Sequence, residues 1–99
     1  MTPNDRPLLV FFTSRRSGPA RRMESLLAHI ARKERDRLRV SKIDVDEQPE
    51  LAERFRVEQV PSLALVVKKR VVSRIDGRAT APRIESMLEP HLGDIEVAA

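Results

Sequence analysis

Five consecutive apolar residues, Leu8–Phe12, stand between Pro7 and the polar pair Thr13-Ser14. The run is far shorter than the roughly 20 residues of a membrane span. With a β-branched residue and two aromatics in it, it reads as a strand apolar on both faces. Such a strand belongs inside a sheet flanked by other layers. The sequence supplies the first layer at once. Ser17-Gly18-Pro19 places a capping residue and a proline at a helix start. From there Ala20, Met23, Leu27, Ile30 and Glu34 recur at helical spacing, with Leu26 and Ala31 widening the stripe, and predict a helix over about 19–34.

The remainder alternates in the same way. Leu38–Val45 predicts a second strand, and Pro49 with Leu51, Ala52 and Phe55 a short helix. Leu63–Val67 is another buried strand, and Lys68-Lys69-Arg70 is a basic turn into an antiparallel partner, Val71–Ile75. Gly77 breaks the chain. Thr80 then caps a last helix with Ile84, Met87, Leu88 and Leu92 facing inward. The expected product is one α/β domain over residues 1–99, a mixed four-stranded sheet flanked by three helices, with flexible tails at 1–6 and 93–99.

The 99 residues include no cysteine, tryptophan or tyrosine. Disulfides, thiolate nucleophiles and cysteine metal sites are thereby excluded. His29 and His91, the two histidines, lack metal-ligand spacing, so neither a metal nor a cofactor is expected. No secretory leader or membrane segment is visible, and the cytoplasm is the default location. Charge is uneven: residues 1–39 carry ten Lys/Arg against four Asp/Glu, whereas residues 40–99 carry nine against eleven. That asymmetry favours an anionic partner. With its three phenylalanines read as core, the chain offers no base-stacking surface, and nucleic acid is not the expected one.

The order of elements, with a strand running into Ser17-Gly18-Pro19-Ala20 at a helix start, resembles thioredoxin. Gly18-Pro19 matches the centre of that family's Trp-Cys-Gly-Pro-Cys motif. Lys42–Asp46 with Pro49, Phe55–Leu63 and Ile75-Asp76-Gly77 resemble further family segments, over about residues 7–92 in all. The family's N-terminal strand and helix are missing. The resemblance implies a thioredoxin-like fold in which Pro61 is the cis-proline. Departures cluster at the redox centre: Ser17 and Ala20 stand at the two cysteine positions, Arg16 at the tryptophan, and Phe11 at a buried aspartate whose lysine partner is retained as Lys42. Arg56 stands at a family glycine, which predicts a non-glycine residue at positive φ.

Dithiol exchange needs an attacking thiolate and a resolving thiol. Ser17 and Ala20 supply neither, and catalytic residues are not expected. Ser17 as a hydrolytic nucleophile lacks a base, because His29 lies about 18 Å along the helix at 1.5 Å per residue. Its expected role is a helix cap. What the resemblance leaves is recognition. The backbone of Val60 beside Pro61 corresponds to the family edge that pairs with an extended peptide, a surface needing no cysteine. The expected binding set is therefore Arg15, Arg16, Ser17, Gly18, Pro19, Arg21, Arg22, Val60, Pro61 and Gly77, with the four arginines biasing the module toward an acidic protein or peptide. A small anion at the first helix N-terminus is a further expectation. The alternative is a thiol–disulfide oxidoreductase of cell redox homeostasis whose cysteines were lost or engineered away.

Overall fold

The computed structural model of the chain describes residues 6–92. Its elements are β1 (Leu8–Thr13), α1 (Gly18–Lys33), β2 (Arg39–Asp44), α2 (Pro49–Arg54), β3 (Ser62–Val67), β4 (Arg70–Asp76) and α3 (Ala81–Leu92). They form one four-stranded sheet in the order β2-β1-β3-β4. The β1–β2 pair is parallel, while β1–β3 and β3–β4 are antiparallel. The α/β class and the mixed sheet are those expected. The tails expected at 1–5 and 93–99 lie outside the described residues, whereas Arg6 is described and donates a hydrogen bond to the Arg35 carbonyl.

The apolar run of β1 becomes the central strand because both of its faces can be covered. On one face Leu9 and Phe11 join Leu63 and Leu65 of β3 and Ile75 of β4, closed by Met23, Leu27 and Ile30 of α1 and Ile84, Leu88 and Leu92 of α3. Burying each of these large side chains contributes about 1.5–3 kcal/mol before entropy. On the other face the buried hydrophobic set among the described residues is smaller, Val10, Phe12 and Ala64. Phe55, just past α2, sets its ring 5.2 Å from that of Phe12. Helix α2 itself has no fully buried residue.

Helix α1 starts where the cap and proline require, with Ser17 in extended conformation (φ −102°, ψ 110°) and Pro19 in the first turn. It ends one residue before the spacing suggests. Glu34 is the C-terminal cap, not part of the stripe, and its carboxylate accepts from Arg37 Nε and Nη2 at 3.0 and 2.6 Å. Arg37 Nη1 also reaches the Leu92 carbonyl at 3.2 Å, tying the end of α1 to that of α3.

Three non-glycine residues have positive φ: Arg56 at 57°, Lys68 at 52° and Lys69 at 68°. The expectation at Arg56 is met. Val67 pairs with Arg70, so Lys68 and Lys69 are the whole β3–β4 turn, a two-residue hairpin loop of the kind that asks for left-handed residues. One step into β4 the ladder slips: Val66 pairs with Val71 and Leu65 with Ser73, leaving Val72 as a bulge.

Candidate functional site

The loop between β1 and α1 is held by short-range bonds and by a polar graft from the β2–α2 turn. Ser17 Oγ accepts from the Ala20 N–H at 3.1 Å, satisfying one of the orphan donors of the helix start. The Ser17 N–H donates to the Ser14 carbonyl at 3.0 Å. Ser14 Oγ accepts from the Arg16 N–H at 3.2 Å and donates to Asp46 Oδ2 at 2.6 Å. Arg16 Nη2 meets Asp46 Oδ1 at 2.7 Å, and Arg15 Nη2 meets Glu47 Oε2 at 2.8 Å. The bond from Ser14, then that from Arg16, holds the Asp46 carboxyl below its ordinary range, and the bond to Asp46 raises the Arg16 guanidinium in turn.

The four arginines singled out by the sequence thus divide. Arg15 and Arg16 are engaged by carboxylates about thirty residues away in sequence. Arg21 and Arg22 on α1 are exposed and make no ion pair among the described residues. Gly18 is exposed, and the guanidinium of Arg22 folds back over it, 3.6 Å from where a Cβ would stand. Asp46 and Ser14 complete the loop, and sequence reasoning misses both. Their signal is faint: a small polar residue directly after a buried strand, and an acid in a turn. Ser17 Oγ has no histidine or carboxylate acceptor among the described residues, which leaves it the cap it was expected to be.

Pro61 and Gly77 come together at the same end of the sheet. Phe12, at the mouth of the loop, pairs with Ser62, and the residue before Ser62 is Pro61, whose peptide bond with Val60 is cis. The Gly77 N–H donates to the Pro61 carbonyl at 2.8 Å, at a φ of 92° that a side chain would strain. Ser62 Oγ donates to the Gln59 carbonyl at 2.6 Å. Val60 lies between these two occupied carbonyls, half-buried. Its own N–H and C=O have no partner among the described residues.

The positions that the resemblance sets around the family's redox centre hold other groups here. Phe11 is 1% exposed within the core. Its neighbour across the ladder, Lys42, is turned outward and pairs with Glu24 at 3.8 Å. No group of three or more metal-ligating side chains exists among the described residues, and no helix there is long and apolar enough to cross a membrane.

A mixed sheet with α1 entering from the central strand and a cis-proline opposite the loop defines an α/β protein of the thioredoxin-like class. The thioredoxin family model matches residues 1–90, and the chain belongs to the thioredoxin family. It is 33% identical over 84 residues to the thioredoxin of Alicyclobacillus acidocaldarius, covering 85% of this chain and 80% of that protein. It is 35% identical over 92 residues to the bifunctional thioredoxin reductase/thioredoxin of Mycobacterium leprae, where the match covers 90% of this chain and only 20% of that protein. Among solved structures, the germline-specific thioredoxin Deadhead of Drosophila melanogaster superposes with a TM-score of 0.82 at 30% identity, covering 89% of this chain and 83% of that one.

Proposed function

We propose that this chain is a cysteine-free member of its family that binds an extended polypeptide at the Val60–Pro61 edge and the Ser17 loop. The observation that carries the reading is the unpaired backbone of Val60. One donor and one acceptor stand without a partner among the described residues, between two satisfied carbonyls. A residue of an approaching strand can fill both with a pair of hydrogen bonds, the unit of strand addition. Without cysteine, capture cannot proceed through a mixed disulfide, so binding is non-covalent and reversible. Because Asp46 and Glu47 already neutralise Arg16 and Arg15, any preference for acidic segments rests on Arg21 and Arg22. A small anion at the same helix start would compete with such a segment.

The test is selection of peptides from a random display library, followed by titration of the best binder into isotope-labelled protein. Shifts at Ser17, Gly18, Val60 and Gly77, weakened about tenfold in an Arg21→Glu/Val60→Asp double variant, are expected. If the variant binds equally, or the shifts fall elsewhere, the reading fails.

A further inference from the structure

Among the described residues the two faces of the sheet are unequally covered, and the difference lies at the end opposite the Ser17 loop. There the registers align Arg39 of β2, Leu8 of β1, Val66 of β3 and Val71 of β4 in one row on the thinly covered face. Leu8 and Val66 are half-buried. Val71 and the bulged Val72 are 47% and 44% exposed, the exposed large hydrophobics among the described residues. Helix α2 has six residues, and the Phe55 ring after it lies on Phe12 at the other end of β1. The apolar row is edged by cations. Lys68, Lys69 and Arg70 are exposed and without ion pairs among the described residues. Arg39 has a buried Nε with no acceptor and a long 3.4 Å bond from Nη2 to the Arg6 carbonyl.

We infer that this half-face is a docking site for an acidic amphipathic helix of a partner protein. An apolar strip rimmed by charge has the anatomy of an interface, not of free surface. The rim has one sign, so the partner must supply carboxylates; a second copy would bring the same Lys68, Lys69 and Arg70 against their own kind. Strand addition is disfavoured on this side, because the bulge at Val72 and the neighbouring cations are the devices that blunt a sheet edge. A helix laid across the face suits it. Four strands at about 4.8 Å span about 14 Å, the length of roughly nine or ten helical residues. The turn supports the reading independently. Lys68 and Lys69 hold left-handed conformations where Asn and Gly would sit without strain, so charge is kept at the rim against backbone preference.

The probe is a synthetic helical peptide with leucines on one face flanked by glutamates, titrated into the isotope-labelled full chain. Saturable shifts at Leu8, Val66 and Lys68–Val72 are expected, with Ser17 and Gly77 unmoved, so the outcome is separable from binding at Val60. Val71→Asp, and separately Lys68→Asn/Lys69→Gly, should each weaken binding about tenfold. The turn variant should do so while keeping or raising the unfolding midpoint, which removes misfolding as the cause. A scrambled peptide of the same composition that binds equally overturns the inference, as do shifts confined to the Val60 edge. A concentration-dependent dimer abolished by Val71→Asp also overturns it, assigning the face to a second copy.

Discussion

Arg56 is the residue whose replacement should improve this protein, and the gain can be worked out from its surroundings. Its φ of 57° lies in the left-handed region, which costs a residue bearing Cβ about 1–2 kcal/mol. Glycine removes that cost but frees the unfolded chain, which takes back about 0.4–1 kcal/mol. Nothing else is lost: the Arg56 N–H bond to the Glu53 carbonyl at 3.0 Å and the bond its own carbonyl accepts from Arg74 Nη2 at 3.2 Å are backbone features that survive. The side chain is exposed and forms no ion pair among the described residues. Arg56→Gly should therefore stabilise by about 0.5–1 kcal/mol, raising the melting midpoint by about 2–8 °C in a domain this size. Urea denaturation with an unchanged m-value is the assay. Arg56→Ala is the control, since it removes the charge but keeps the strain, and its stability should stay within about 0.5 kcal/mol of the parent. Equal gains in both variants, or a loss in the glycine variant, would refute the conformational argument.

Further tests address the site and the core. Ser17→Ala deletes the cap on α1 and should cost about 1 kcal/mol by urea denaturation, within a usual range of about 0.5–2; no measurable loss would show that solvent replaces the cap. The Asp46 carboxyl is depressed in the folded chain, so its bonds to Ser14 and Arg16 stabilise above the ordinary carboxylate range and weaken as pH falls through the folded value. The Ser14 and Arg16 amide resonances should move together in that acid window and stay still in Asp46→Asn. Phe12→Ala, at a fully buried position, should cost about 3–5 kcal/mol in chemical denaturation, whereas the half-buried Phe55→Ala should cost clearly less. Ser17→Cys/Ala20→Cys places a thiol at a helix start, and the thiol at position 17 should titrate below the free-thiol value of about 8.5. Ultraviolet titration of the reduced protein would detect it, and an unshifted thiol would show that this helix start does not stabilise a thiolate.

What the residues themselves reveal follows the range of the forces involved. β1 and β3 are legible because five-residue apolar runs admit little else, and α1 because its stripe, cap and proline agree; its start differs from the structure by one residue. Spacing alone places Glu34 on the stripe, and spacing cannot tell a side chain facing the core from one bent back at the last turn. Val71 and Val72 read as the start of a regular antiparallel strand. The bulge that exposes them arises from pairing with β3 and leaves no mark in local composition. The clamps from Arg15 to Glu47 and from Arg16 to Asp46 depend on parallel pairing that aligns Thr13 with Asp44, a contact of the whole sheet. Hence the loop residues can be named from the sequence, while the half-neutralisation of their charge cannot.

The position of β1 has a consequence for the protein during its synthesis. The strand that ends at the centre of the sheet leaves the ribosome before its neighbours, carrying Phe11 and Phe12. Leu63, which pairs with Phe11, follows 52 residues later, and Arg39, which pairs with Leu8, 31 residues later. At about 5–20 residues per second, several seconds pass before β3 arrives to close the antiparallel side. Through that interval the most apolar segment of the chain has at best one neighbouring strand. A nascent-chain series spanning the length at which residue 67 emerges from the ribosome should therefore change abruptly in protease resistance, and chaperone occupancy should peak on the shorter members.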